Sequence, residues 1–317
     1  MILALEVERR FECFGAEVAV HVGGPGPEGE PPEDAAERVR AFLLDVHARL
    51  SRFLPDSELS ALNGDPRETV PVGDLLLRFV TAAIEAAEIT GGLVDPTVLD
   101  ALERAGYDRS LRAVPRLHLT DALAARRGRR PAAPNSAADW RRIRVDSAAR
   151  EVTRPSGVRL DSGGVGKGLE ADLAAELLRG HATYAVDCAG DLRIGGSACA
   201  PRRVLVEDPF TGAPLDEVDV ADGAVATSGL RRRIWAGRDG LPAHHLLDPS
   251  TGLPAFTGVV QATALAPTAT EAEALAKAAL LAGPVEGSSW LAHGGVLVLD
   301  DGRARRVPAP SPHPMAA

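Results

Sequence analysis

The sequence predicts an α+β fold, with mixed sheets and helices packed against them. Three observations lead there. Strand-like and helical stretches are interspersed without the strict βαβ rhythm of a parallel sheet. No internal repeat divides the 317 residues. An apolar content of 45% supplies one large core or two modest ones.

In chain order, residues 1–22 read as two short strands around Gly15, and the Pro/Gly/Glu-rich stretch 23–34 as an exposed loop. Residues 35–50 set Ala36, Val39, Phe42, Leu43, Val46 and Leu50 on one helical stripe. Pro55-Asp56-Ser57 is a turn that opens a short helix, and residues 73–90 form a longer helix closed by Gly91-Gly92. Residues 112–139 are rich in Arg, Ala, Pro and Asn, which predicts a flexible, partly helical excursion. Residues 140–153 predict a hairpin that pairs with the strand carrying Asp161. A helix begins near Leu169 and stops at Gly180, and short strands follow within 184–196, 202–209, 223–229 and 244–254. Residues 259–283 close the series as a strand and a helix. Residues 1–308 are expected to form one catalytic domain, and 309–317 a Pro-rich disordered tail.

A net charge of −9 and scattered arginines exclude a nucleic-acid footprint. Cys13, Cys188 and Cys199 form neither a disulfide framework nor a zinc spacing. The first residues show no basic start and no apolar run of signal length, and no stretch reaches the length of a membrane span. A soluble cytoplasmic protein is the expectation.

The chemical centre is RLDSGGVGKGLEAD, residues 159–172, where an apolar run ends in Asp161 and a glycine-dense turn enters a helix. Such a turn offers free N–H groups to an anion. Asp161 and Gly168 stand where a Walker A loop needs Gly and Ser or Thr, and Gly164, Gly166 and Gly168 miss the dinucleotide spacing. Of the 35 Lys and Arg residues two are Lys, so 33 are Arg. A lysine kept in such a chain marks a place that uses a compact ammonium instead of a planar fork. One is Lys167 in the turn; the other is Lys277.

Lys277 lies four residues after Glu273, which Thr270 precedes in a capping-box spacing. The two can pair with each other, for about 0.2–0.5 kcal/mol on an isolated helix. They can equally address a metal–phosphate assembly from the helix start. His244-His245 lead into the turn Asp248-Pro249-Ser250-Thr251-Gly252, where a neutral imidazole could accept a hydroxyl proton. Thr227-Ser228-Gly229 is either a phosphate contact or a plain hydroxyl turn.

Taken together and in this order, FGA near the N-terminus, LSRFLPDSELSALN, GGLVDPTVLDAL, RLDSGGVGKGLEADLAAELL, AVDCAGDLRIGG, AVATSG, HHLLDPSTGLP and APTATEAEALAKAALLAG resemble the FAD:protein FMN transferase family, the flavin transferases of the ApbE type. The resemblance runs from about Phe14 to Gly283. It implies a T-fold-related flavin transferase fold and transfer of FMN from FAD, as substrate, onto a Thr or Ser hydroxyl of a protein acceptor, with AMP released and magnesium on the diphosphate. By position it implies Phe14, Phe53, Leu93, Val94, Asp95, Asp161, Lys167, Thr227 and Leu247 as cofactor neighbours, Gly164 and Glu273 as metal ligands, and His245 as the base. The chain departs from the family at Glu273 and Lys277, where Asp and Thr are usual, at Asp187-Cys188-Ala189-Gly190-Asp191 in place of Asn-Ala-Gly-Gly-Asp, and at Ala105, near which a Trp is usual. A protonated ammonium repels a cation, so Lys277 is expected to act in catalysis by supplying the charge that the ion otherwise brings. A different class of function is a catalytically weak FAD-binding protein, or an FAD pyrophosphatase with no protein acceptor.

Overall fold

The computed structural model describes residues 5–109 and 116–310. Its centre is a sheet of eight strands: β1 (Glu6–Cys13), β2 (Ala16–Gly23), β3 (Thr183–Cys188), β4 (Asp191–Gly195), β5 (Gly223–Gly229), β6 (Val259–Ala266), β7 (Gly295–Leu299) and β8 (Ala304–Val307). They lie side by side in chain order, each antiparallel to the next. The α+β expectation holds. The helices enter as insertions between neighbouring strands.

Alternation along the strands builds two faces. Val186, Ala224 and Ala226 face a core made with α1 (Pro32–Leu50), α3 (Gly166–Leu177) and α4 (Ala269–Glu286). Their neighbours Ala185 and Val225 face the other way, against Val204 and Val220 of a hairpin formed by Arg202–Glu207 and Pro214–Val220. A second core gathers α2 (Asp74–Ile89), the short helix Glu58–Gly64 and a three-stranded sheet. α1 forms where expected because Val39, Leu43, Val46 and Leu50 share one buried stripe, with Pro32 opening the first turn. α4 leaves its helical path at Gly283, whose φ of 79° suits glycine, just before Pro284.

Four local expectations need correction. The hairpin Arg144–Asp146/Glu151–Thr153 pairs with Thr69–Pro71, while the segment entering Asp161 is irregular. α3 starts at Gly166, so Lys167 lies in its first turn and not in the loop before it. The cap of α4 is Thr268, whose hydroxyl accepts from the Glu271 N–H at 3.3 Å. Thr270 bonds Asp172 instead, and Glu273 does not reach back to its own helix start. Finally, Thr227 and Ser228 lie within β5, not in a turn.

The excursion forms a helix over Leu119–Ala125 and is then tied to the fold by Arg130 N–H to Phe256 O at 3.0 Å and Ala132 N–H to Leu281 O at 2.9 Å. Its residues 112–115, and the tail from residue 311 on, lie outside the described residues.

Candidate functional site

The first turns of α3 and α4 cross in direct contact. A Cβ on Gly168 would come within 2.3 Å of the Ala269 carbonyl oxygen and 2.7 Å of Thr270 N, so only glycine permits the crossing. Each helix caps the other. Asp172 of α3 accepts from the N–H groups of Ala269 and Thr270, both at 2.9 Å, and from the Thr270 hydroxyl at 2.7 Å. Glu273 of α4 accepts from Gly168 N–H at 2.8 Å through Oε2. Carboxylates thus meet the free N–H groups and positive dipole end of both helices.

Both lysines meet at this crossing. Lys277 Nζ donates to Glu273 Oε1 at 2.6 Å, and Lys167 Nζ lies 3.7 Å from the same oxygen. Lys167 also donates to Asp191 Oδ2, at the start of β4. Asp191 and Glu273 are buried, whereas the Lys167 side chain is 21% exposed and opens the cluster to solvent. Burial alone would lower the Lys167 pKa, but Asp191 and Glu273 raise it overall, so the ammonium is held. For Lys277 burial outweighs Glu273 and the shift is downward. Burial would raise Glu273; the two ammoniums outweigh it and keep it ionised. Glu170, one turn beyond Lys167, is buried with Oε2 unpartnered among the described residues; burial, then Glu273, push its pKa well above the ordinary carboxylate value.

His245 lies in the field of both lysines. Burial first, then Arg233, His244, Lys277 and Lys167, hold it well below its ordinary value, and its buried Nδ1 has no partner among the described residues. A neutral imidazole with an unused nitrogen can accept a proton. Thr227 approaches through its backbone, whose N–H lies 3.4 Å from Asp191 Oδ1. Its hydroxyl pairs with Thr263 Oγ1 at 2.9 Å across β5 and β6, on the sheet face opposite Asp191 by the alternation of the strand.

A second group forms on the other side of the glycine turn. Asp161 forms an ion pair with Arg52, whose Nε lies 2.8 Å from Oδ1, and accepts from Gly163 N–H at 2.9 Å, and its own N–H reaches Pro96 O at 2.9 Å. That last bond joins the turn to the loop of Leu93, Val94 and Asp95. Val94 also packs near Gly164, where a Cβ would stand 3.4 Å from Val94 Cγ1. Asp95 accepts from the Thr97 hydroxyl at 2.6 Å while its buried Oδ2 has no partner among the described residues. The Arg52 guanidinium stacks 4.2 Å from the Phe53 ring and 4.5 Å from that of Tyr107. Trp235 continues this row and donates its indole N–H to Ala105 O at 2.9 Å, so an indole does reach Ala105, from β-structure far along the chain. Leu247 joins Ala101 and Leu102 in a small apolar cluster beside this row. Phe14 stands apart, edge-on to His47 at 5.0 Å.

The sequence reading missed the parts played by Asp191, Glu170 and Arg52. Asp191 showed only as the last residue of the altered motif Asp187-Cys188-Ala189-Gly190-Asp191, and Glu170 interrupts an apolar helix face.

The residues do not fit the implied magnesium. Glu273 spends one oxygen on Lys277 and the other on Gly168 N–H, and a divalent ion there would stand beside two ammoniums. Among the described residues no three His, Cys, Asp or Glu side chains gather to hold a metal. Nor, among them, is any helix long and apolar enough to cross a membrane.

Known proteins resemble this chain in sequence and in fold. A model of the ApbE family matches residues 14–299. A protein named FAD:protein FMN transferase from Treponema pallidum is 34% identical over 302 residues, covering 88% of this chain and 79% of its own length. One of the same name from Escherichia coli K12 is 26% identical and covers 86% and 78%. The solved structure of the ApbE protein from Thermotoga maritima superposes with a TM-score of 0.77 at 29% identity, over 95% of this chain and 97% of that one. Flavinyl transferase ApbE from Pseudomonas stutzeri, at 22% identity, shares the fold with a TM-score of 0.74 over 96% and 94%. The chain belongs to the ApbE family.

Proposed function

We propose that this chain transfers FMN from FAD onto a Thr or Ser hydroxyl of a protein acceptor and releases AMP. The observation that carries the reading is the meeting of the only two lysines at the crossing of two helix starts, in whose field lies a neutral histidine with Nδ1 unpartnered among the described residues. The names of the relatives support it. Lys167, steadied by Asp191, presents an ammonium from the open side of the cluster to the diphosphate. The acceptor oxygen bonds to the FMN phosphorus as the bridging P–O bond breaks. AMP leaves with that electron pair, and the hydroxyl proton passes to His245. The row of Phe53 and Tyr107 and the wall of Leu93, Val94 and Leu247 offer flat and apolar surfaces to the ring systems. Cytoplasmic action is part of the same proposal, supported by Cys13, Cys188 and Cys199 being unpaired.

Incubation with FAD and a Thr-containing acceptor peptide tests this. AMP release with FMN joined to the peptide is expected, and His245→Asn lowers the transfer rate about 10²–10⁴-fold with FAD still bound. Intact FAD with no AMP in the presence of acceptor overturns it. One observation favours a second reading, FAD binding or hydrolysis without an acceptor: each carboxylate oxygen of the Lys pair already has a partner within the fold. AMP release that needs no acceptor identifies that case.

A further inference from the structure

We propose that Lys277 is the resident cation of the diphosphate site: its ammonium, fixed by Glu273, bonds a diphosphate oxygen directly, and FAD binding by this chain needs no divalent metal. This rests on the flavin transferase reading above.

Three features of the cluster carry it. First, the chain uses arginine for its surface charge and keeps its two lysines for this one place. Arginine would bring a wide fork, whereas two helix starts in close contact at Gly168 favour a compact ammonium. Second, the donors and acceptors are divided in one direction. The Glu273 and Asp191 carboxylates are taken up by backbone N–H groups of Gly168 and Thr227 and by the lysines themselves. Lys277 makes one hydrogen bond among the described residues, to Glu273, and an ammonium carries three donors. The unspent hydrogen-bonding capacity is therefore cationic. Third, the position that a metal would occupy against Glu273 is already filled by Nζ at 2.6 Å, with the Lys167 ammonium 3.7 Å from the same oxygen. Two tethered ammoniums repel a further cation and do part of its electrostatic work without the need to bind it from solution.

The test is FAD titration of the full chain, stripped of metal, followed by flavin fluorescence in excess EDTA and again with magnesium. The expected result is binding in EDTA, with a Kd changed less than threefold by magnesium. Binding that disappears in EDTA and returns with magnesium overturns the proposal. Lys277→Thr is expected to weaken binding in EDTA at least tenfold. Because that change strands Glu273, the double variant Glu273→Gln/Lys277→Met, which removes both charges, is measured alongside it. The same tenfold loss in a double variant that still melts cooperatively supports the proposal, and parental affinity in it overturns the role of Lys277. An absence of FAD binding with and without magnesium removes the flavin transferase reading itself, so the two failures are distinguishable.

Discussion

Two charged centres flank the glycine turn, and they are built to opposite ends. Before the turn, Arg52 and Asp161 form a closed clamp: both side chains are nearly buried, Asp161 also holds Gly163 N–H, and the guanidinium is stacked on Phe53 and Tyr107 and bonded to Tyr107 O at 2.9 Å. After the turn, Lys167, Asp191, Glu273 and Lys277 form a cluster that opens through Lys167 and adjoins a buried Glu170, its pKa pushed up by burial, and a neutral His245. The planar fork suits the clamp because it pairs with Asp161 through Nε and bonds Tyr107 O through Nη2 while its flat face lies over Phe53 and Tyr107. The ammonium suits the open cluster because its donors are not committed to one plane. The choice between Arg and Lys thus separates a structural charge from one available to a ligand.

The largest effect that sharpens this contrast comes from breaking the lysine pair. Lys277→Met leaves Glu273 buried with an ammonium no nearer than 3.7 Å, and a loss of about 3–5 kcal/mol in unfolding free energy is expected from urea titration. Adding Glu273→Gln removes the stranded charge, so most of that loss returns in the double variant.

The next effect is a pH slope. His244 packs edge-on to Phe256 at 4.7 Å, and burial pushes its pKa down to about 3 from an ordinary 6.5. The unfolded chain therefore takes up a proton near pH 6.5 that the folded chain refuses. Stability falls as pH drops through that window, by about 1.4 kcal/mol per unit for this one group. In urea midpoints measured from pH 6.5 to 5, His244→Phe should flatten the slope by that amount.

The smallest effect belongs to the clamp. Arg52→Lys keeps the charge against Asp161 but gives up the stacked plane and the bond to Tyr107 O, at a cost of about 1 kcal/mol. FAD affinity should stay within a factor of two. A large fall in affinity with little loss of stability would merge the two centres into one binding site and end the distinction drawn above.

Much of the fold was legible locally. The strands around Gly15, the stripe of α1 and the largely apolar β6 each carry a local pattern, and each formed where that pattern placed it. The third strand beside the hairpin was not legible, because Thr69–Pro71 is too short to show a pattern and pairing is a long-range choice. The cap of α4 was ambiguous for a different reason. Thr268 with Glu271 and Thr270 with Glu273 both have the capping-box spacing, and Asp172 from another helix takes Thr270 away.

By itself the sequence determined which residues carry unusual chemistry. Lysine is scarce enough to be noticed, the glycine turn is dense, and Glu273 and Lys277 are neighbours on any helix because four residues make about one turn. Tertiary structure alone decided that Lys167 would join them and that Asp191 would receive it. Those contacts depend on two helix starts meeting at Gly168 and on β4 lying against β5 in one register, distances that no local period encodes.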